Sequence, residues 1–420
     1  LRHSDRKGRS EKPSIGARIA SPYTGIVPRW KLGGAGCAGV GAIRADIGSQ
    51  AVLPGQEYHA DSVDGPARPS ACDWMGYNPV MTWSVLGHAW AVDLLQRHLR
   101  AGSVRHAYLF TGPDQVGKRT LALAFAMALN CVQPPHPGEA CGRCRSCDGL
   151  KQERHADLSV VRIGAEESEI KIDTVRELSR QLSLTPLEAR RRIALLVSFD
   201  LASPQAQNAL LKTLEEPPDA VVLLLTARST ANLLPTIVSR CEVLNLRPLN
   251  PEQIEQALCA DGLPAEQARL LAAISGGRPG LARVLAADDE LLTRRTAALD
   301  ELKALMAGGR GERFAVAENL ARKLKNSEEL ESVRRRVEER LLTWLTLWRD
   351  ALLLSHGNEV HLANPDRRAD LERLVSSHSP EALASAVLAA QTTLDRLDRN
   401  ANIQLTLENL MLDLPQPPGR

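Results

Sequence analysis

Four of the eight cysteines lie within one short segment, in the spacing Cys131-x9-Cys141-x2-Cys144-x2-Cys147. Thiolates are soft ligands that bind Zn²⁺ at about 2.3 Å, and four protein ligands leave no open position for water. The spacing therefore predicts a structural zinc site held by all four thiolates. An iron–sulfur cluster is the alternative, because the ligand type alone does not exclude it.

A glycine-rich segment, Gly112-Pro-Asp-Gln-Val-Gly117-Lys118, follows a short apolar run and opens an apolar helix. Glycines let such a loop fold tightly, so that backbone N–H groups face phosphate oxygens, while the helix N-terminus and the lysine add positive charge. The pattern predicts a nucleotide site for ATP or ADP, formed by Gly112, Gly117, Lys118, Arg119 and Thr120. A loop kept for structure alone is the alternative.

The positions that would bind Mg²⁺ at this loop are altered. Arg119 stands where a hydroxyl residue normally follows the lysine, and Thr120 comes one residue late. An acidic pair is expected near Val197 and Ser198, at the end of a neighbouring apolar run, but the nearest acid is Asp200. Two independent changes at one metal site predict that this chain does not catalyse phosphoryl transfer.

The overall composition limits the classes of protein to which these motifs can belong. The chain has 420 residues, of which 44% are hydrophobic and 24% charged, and this excludes collagen-like, fully disordered and disulfide-scaffold proteins. A formal net charge of +2 is too small for the whole molecule to act as a polycation on nucleic acid. No apolar run approaches the roughly 20 residues that cross a bilayer, and no secretory signal opens the chain. We therefore expect a cytoplasmic location.

From Met81 onward, short apolar runs alternate with helical patterns, which predicts an α/β core with a parallel sheet and flanking helices. After Pro248 the patterns are helical only, and they include a long amphipathic segment over 328–354. The predicted organisation is a non-globular extension (1–80), an α/β core (81–249), a small helical domain (250–290), a helical bundle (291–414) and a tail (415–420). The simplest explanation of the first segment is a mis-assigned start site, and a genuine basic tail is the alternative.

Taken together, these features resemble the delta-prime family of bacterial DNA polymerase III clamp-loader subunits, within the AAA+ superfamily, over about four-fifths of the chain. The resemblance rests on the loop, the cysteine insert and three strings. These are His106-Ala-Tyr-Leu-Phe110, Asn208-Ala-Leu-Leu-Lys-Thr-Leu-Glu-Glu-Pro-Pro218 and Leu234-Pro-Thr-Ile-Val-Ser-Arg-Cys241. It implies an AAA+ core with a zinc module, a small helical lid, and a C-terminal helical collar that assembles a ring of five subunits.

The resemblance also implies roles for two arginines. Arg240 would point towards ATP bound on a neighbouring motor subunit, and so be catalytic in trans. Arg278, in the lid turn Gly276-Gly-Arg-Pro-Gly280, would approach the nucleotide of this chain. The implied partners are the gamma/tau motor subunits, the delta subunit, the sliding clamp and primed DNA, with no membrane.

The resulting hypothesis is a subunit of a DNA polymerase holoenzyme that helps load the sliding clamp on primed DNA and has little or no ATPase activity of its own. Two alternatives remain open. One is an active ATPase motor subunit of the same loader, which ATP turnover by the isolated chain would reveal. The other is a zinc-dependent nucleic-acid-binding protein with a vestigial phosphate loop, which steeply salt-dependent DNA binding by the lone chain would reveal.

Overall fold

The structure is a computed structural model and describes Trp83 and residues 85–415, apart from 165, 166, 168, 323–329, 360 and 361. The extension predicted over residues 1–80 lies outside the described residues, as does all of the predicted tail after Pro415. Within the described ranges, no helix is long and apolar enough to cross a membrane.

A five-stranded parallel sheet forms the centre of the first part of the chain. Its strands are β1 (Ala107–Thr111), β2 (Leu158–Val161), β3 (Arg192–Leu196), β4 (Val221–Ala227) and β5 (Glu242–Asn245), and they lie in the order β2-β3-β4-β1-β5. Strands β1, β3 and β4 are buried along their whole length. Continuous burial is expected for a parallel sheet that is covered by helices on both faces, and it explains why these strands read as unbroken apolar runs.

Six helices accompany this sheet. They are α1 (Ala89–Arg100), α2 (Lys118–Asn130), α3 (Arg145–Lys151), α4 (Ile172–Leu182), α5 (Pro204–Glu215) and α6 (Pro235–Val238). Helix α5 begins where the Ser203 hydroxyl accepts the N–H of Ala206 at 3.2 Å, with Pro204 in the first turn. It ends just before Pro217, which cannot continue a helix. The predicted α/β core is confirmed.

The rest of the described chain is helical, as predicted. Three short helices, α7 (Pro251–Ala260), α8 (Ala265–Ile274) and α9 (Pro279–Ala287), share one small apolar core. Six more helices share a second, larger core: α10 (Asp289–Ala307), α11 (Arg310–Ala321), α12 (Leu330–Ser355), α13 (Arg368–Ser377), α14 (Pro380–Asp398) and α15 (Ile403–Asp413). We propose that these two cores correspond to the predicted lid and collar domains.

The long helix α12 carries the centre of the larger core. Trp344 and Trp348 are fully buried with their ring centroids 6.4 Å apart, and the indole N–H of Trp344 donates to the carbonyl of Ala298 on α10 at 2.8 Å. Helix α11 begins at Arg310, directly after Gly308 and Gly309. The reason is a local cap, because the Glu312 carboxylate accepts the N–H of Gly309 at 2.9 Å.

Candidate functional site

The predicted phosphate loop joins the carboxyl end of β1 to the N-terminus of α2. Gly112 has φ +141°, and a Cβ there would lie 2.2 Å from the carbonyl oxygen of Leu246. Gly117 caps α2 with φ +112°. Both conformations are rarely open to residues with a side chain. The glycines thus allow a loop that passes close to the end of β5 and turns sharply into the helix.

Lys118 is buried and turned towards its own loop. Its amine Nζ donates to the carbonyls of Gly112 at 2.5 Å and Pro113 at 3.0 Å, and it lies 3.4 Å from Asp114 Oδ1. Burial lowers the pKa of Lys118, and the nearby Asp114 carboxylate opposes this shift. The residues fit a phosphate site by their chemistry, but a phosphate group would have to replace these carbonyls as the partner of the amine.

Two charged residues beside the loop are not marked by the motif. Arg228, directly after β4, donates through Nε to Asp114 Oδ2 at 2.9 Å, and its backbone N–H donates to Asp200 Oδ2 at 3.2 Å. Burial raises the pKa of Asp200, although the Arg228 contacts and the Lys118 charge act in the opposite direction. Asp200, which follows β3, therefore accepts a hydrogen bond from Arg228 at the end of β4. Only the sheet order, which sets β3 beside β4, brings these residues together.

Arg119 and Thr120 occupy the first turn of α2, and both are exposed. Arg119 donates through Nε to Glu153 Oε1 at 2.6 Å, and Arg162 contacts the other oxygen of the same carboxylate. The residue that replaces the hydroxyl ligand for Mg²⁺ thus ties α2 to the segment that follows the cysteine cluster. A cationic side chain held by Glu153 cannot take the place of that ligand.

The start of α9 lies directly against the phosphate loop. Arg278, at the start of α9, is 1% exposed, and its Nε donates to the carbonyl of Ser275 at 2.9 Å. Two residues further on, the N–H of Gly280 donates to the carbonyl of Gln115 at 2.9 Å. A Cβ on Gly280 would approach that oxygen to 2.8 Å. The structure therefore brings the turn that contains Arg278 onto the phosphate loop, and contact of Arg278 with a nucleotide stays a prediction.

Arg240 lies far from this loop, at the opposite end of the sheet. It follows α6 and precedes β5, whose first residue, Glu242, pairs with Tyr108 near the start of β1. The phosphate loop begins after the other end of β1, about 10 Å further along at roughly 3.3 Å per residue. The Arg240 side chain is 36% exposed and forms an ion pair with Glu215 at 2.9 Å. It cannot serve a nucleotide in the loop of its own chain.

The four clustered cysteines converge on one point, and each offers one sulfur atom with all four sulfurs within 4.8 Å of one another. Cys141 and Cys147 have their sulfurs 4.0 Å apart. Four thiolates around Zn²⁺ at about 2.3 Å would stand about 3.8 Å from each other, so the arrangement fits a tetrahedral ion. The prediction that these four residues form one cluster agrees with this geometry.

Backbone N–H groups prepare the cluster for thiolates. The N–H groups of Cys141, Cys144 and Cys147 point at the sulfurs of Cys131, Cys141 and Cys144, at 3.2, 3.3 and 3.4 Å. Burial opposes ionisation of Cys144, but N–H donors led by that of Cys147 lower its pKa to about 6. Burial raises the pKa of the Cys147 thiol, so a cation is needed to hold all four as thiolates.

A basic groove forms a second candidate surface, which the sequence alone does not predict. An open groove between α4 and α5 is lined by the cationic residues Arg176, Arg180 and Lys212. Its uncharged polar residues are Ser179, Gln205, Asn208 and Thr213. The signal existed as basic residues one turn apart on α4, but sequence alone does not show that α5 lies alongside.

Comparisons with known proteins agree with this arrangement. The model of a family described as "DNA polymerase III, delta subunit" matches residues 87–250, and that of "DNA polymerase III, delta subunit, C terminal" matches residues 290–416. The DNA polymerase III subunit delta' of Bacillus subtilis is 28% identical over 328 residues, which cover 77% of this chain and 95% of the relative.

Two other relatives match a shorter part. The subunit delta' of Pseudomonas aeruginosa is 40% identical over 41% of this chain and 53% of the relative. The subunit tau/gamma of Haemophilus influenzae is 36% identical over 43% of this chain and 26% of the relative. The chain thus matches about half the length of the former and about a quarter of the latter.

A parallel sheet in the order β2-β3-β4-β1-β5, with a phosphate loop after β1 and a helical lid against that loop, defines a P-loop protein of the AAA+ class. The two family models together match more than half of the chain. Within the AAA+ class, the chain belongs to the family of DNA polymerase III delta-prime subunits, which are clamp-loader subunits.

Proposed function

We propose that this clamp-loader subunit helps load the sliding clamp on primed DNA and supplies Arg240 to the ATP site of a neighbouring motor subunit. The observation that carries the proposal is the position of Arg240 at the amino end of β5, opposite the phosphate loop of its own chain. A partly exposed guanidinium there is available to another subunit. In trans, an arginine can stabilise the charge on a transferring phosphoryl group.

We further propose that the chain itself does not hydrolyse ATP. Arg119 is engaged by Glu153 at 2.6 Å in place of a hydroxyl ligand for Mg²⁺. Val197 and Ser198 follow β3 where an acidic pair would hold the metal and position water. The Asp200 carboxylate nearby accepts the N–H of Arg228. ATP or ADP in the loop, approached by Arg278, stays a prediction.

The proposed partners are gamma/tau motor subunits and a delta subunit in a five-membered ring, together with the clamp and primed DNA. Similarity to relatives named as subunits of DNA polymerase III supports this assignment. The groove between α4 and α5 supports contact with DNA, because Lys and Arg side chains attract phosphates without regard to sequence. The four-cysteine cluster would hold Zn²⁺ as a structural ion.

The test is a single-turnover experiment on the reconstituted complex. The complex is loaded with ATP, and clamp and primed DNA are then added while hydrolysis is followed. With Arg240→Ala, we expect the ATP bound at one site of the complex to remain unhydrolysed, because a trans arginine accelerates the reaction by roughly 10³-fold or more. The matched control is Arg247→Ala, an exposed arginine beyond the other end of β5.

Each result decides the proposal. Loss of one site's fast hydrolysis in an intact Arg240→Ala complex, with the Arg247→Ala complex unchanged, supports the trans role. Unchanged hydrolysis and assembly with Arg240→Ala would show that Arg240 is a bystander. ATP turnover by the isolated chain would instead favour the motor-subunit alternative.

A further inference from the structure

Arg240 is held from two sides by its own chain. Its Nη2 lies 2.9 Å from Glu215 Oε1, and its Nη1 donates to the carbonyl of Thr236 at 3.0 Å. A guanidinium has five N–H donors in a rigid planar fork, so two such contacts define the direction in which the remaining donors point. The pair joins the end of α5 to the turn after α6, although the two residues lie in separate strings of the sequence.

Glu215 stands on a fixed support. It is the last residue of α5, just before Pro217 and Pro218. At the other end of α5, the buried Gln207 amide donates to the carbonyl of Asn232 at 3.0 Å and accepts the N–H of Leu234 at 2.9 Å. Helix α5 therefore contacts the segment 232–240 at two places. Gln207 binds the start of this segment, and Glu215 binds Arg240 at its end.

An exposed ion pair of this kind contributes little to folding stability, because both side chains lose freedom and water screens the charges. The Arg240 and Glu215 side chains are 36% and 51% exposed. A contact that adds little to stability can still orient a group that must reach a partner, since ordering the side chain beforehand removes an entropy cost at the moment of contact.

We propose that Glu215 is a positioning residue for Arg240, which holds the guanidinium ready for a phosphoryl group on the neighbouring subunit. This inference rests on the proposed function above. Glu215 would accept from one side of the fork, while donors on the other side meet the phosphoryl oxygens. Loss of the carboxylate would leave Arg240 present but dispersed among rotamers.

The experiment compares Glu215→Gln with Glu216→Gln in the single-turnover assay on the full complex. Glu216 is the next residue, is also exposed, and carries the same charge, so its variant controls for charge at this surface. We expect Glu215→Gln to lower the rate constant of one site by about 2- to 10-fold, without changing the ATP concentration for half-saturation. Arg240→Ala should lower it by roughly 10³-fold or more.

A double variant gives a readout that a merely structural role would not move. If Glu215 acts through Arg240, adding Glu215→Gln to Arg240→Ala changes the rate no further. The inference would be overturned, even where Arg240→Ala is impaired, by any of three results. These are a rate for Glu215→Gln equal to that of the normal chain, a rate above it, or an additive effect in the double variant. If Arg240→Ala is itself fully active, the proposed function fails, and the inference fails with it.

Discussion

The amine of Lys118 lies 2.5 Å from the carbonyl oxygen of Gly112, six residues earlier in the same loop. The Lys118 amine, whose charge could neutralise a phosphate group, thus links the end of the loop to its beginning. The loop is also contacted by the lid, through the Gly280 N–H on the Gln115 carbonyl. The backbone of the loop therefore has a structural role besides the binding role that its motif suggests.

Gly112→Ala should strongly destabilise the chain. The residue has φ +141°, and an added Cβ would meet the Leu246 carbonyl oxygen at 2.2 Å, so β5 or the loop must shift. Backbone strain of this kind costs of order 1–3 kcal/mol, before the clash is counted. Urea unfolding measures the loss. Gly311→Ala, in α11 with no atom within 4 Å of the added Cβ, is the control and should cost nothing. An equal effect at both positions would contradict the prediction.

Arg119→Thr should leave ATP turnover by the isolated chain at background. The substitution restores a hydroxyl after Lys118, but Val197 and Ser198 still follow β3 where acids would hold Mg²⁺ and position water. Release of phosphate in the presence of Mg²⁺ measures the turnover. A variant with Asp and Glu at those two positions as well is the comparison. Turnover with Arg119→Thr alone would show that the hydroxyl was the only missing part.

Asp157→Asn should destabilise the chain at neutral pH and much less in acid. Asp157 is buried, accepts the N–H groups of Leu187, Glu188 and Ala189 at 2.7 to 2.9 Å, and lies 3.3 Å from the Arg192 guanidinium. Burial acts to raise the pKa of Asp157, but these N–H groups and Arg192 outweigh it and lower the pKa.

Because the pKa of Asp157 is lowered by folding, its stabilisation is complete above the unfolded-state pKa of about 4 and is lost as the pH falls through the folded-state pKa. Removing one partner of a buried pair costs about 3–5 kcal/mol. We expect a difference of that size at pH 7 and a smaller one near pH 3. Asp173→Asn, at an exposed position, should change neither value. A pH-independent difference would show that the carboxylate charge is not involved.

Purified protein should contain about one zinc ion per chain, since four thiolates at this spacing fit one tetrahedral ion. Cys144→Ser should lower the metal content and the melting temperature together. Cys259→Ser, outside the cluster, should keep both. Elemental analysis and thermal unfolding measure these outcomes. Iron in place of zinc would favour an iron–sulfur cluster, and absence of both metals would show that the four cysteines do not form a structural metal site.

Removing basic residues from the groove between α4 and α5 should weaken DNA binding by the assembled complex. Arg180 forms an exposed ion pair with Glu177, which a phosphate can replace. For Arg180→Ala with Lys212→Ala, we expect the slope of log affinity against log salt to fall by about one for each lost contact. Lys151→Ala with Arg154→Ala, exposed residues at and just after α3, is the matched control. Equal slopes for the two variants would exclude the groove.

Most of the architecture could be predicted from the sequence because local signals are strong there. Helix α5, for example, is followed directly by Glu216, Pro217 and Pro218, and prolines at those positions stop a helix. The apolar run from Ile193 predicts a buried strand, and β3 is fully buried. The four cysteines converge as predicted, since short spacing leaves the chain little freedom to separate them.

What the sequence could not reveal are contacts between segments that are distant along the chain. Asp114 and Arg228 are 114 residues apart, and Arg119 meets Glu153 across 34 residues, because strand order and helix packing bring them together.

By itself, the sequence of this protein determined the phosphate loop, its altered metal positions, the cysteine cluster and the alternation of strands and helices. Each of these depends on residues that are neighbours in the chain. Only the tertiary structure decided that Arg240 lies at the far end of the sheet from Lys118, and that Glu215 faces it. The physical reason is that parallel pairing of β1 with β5 fixes which end of each strand lies beside the other, a register that no local pattern encodes.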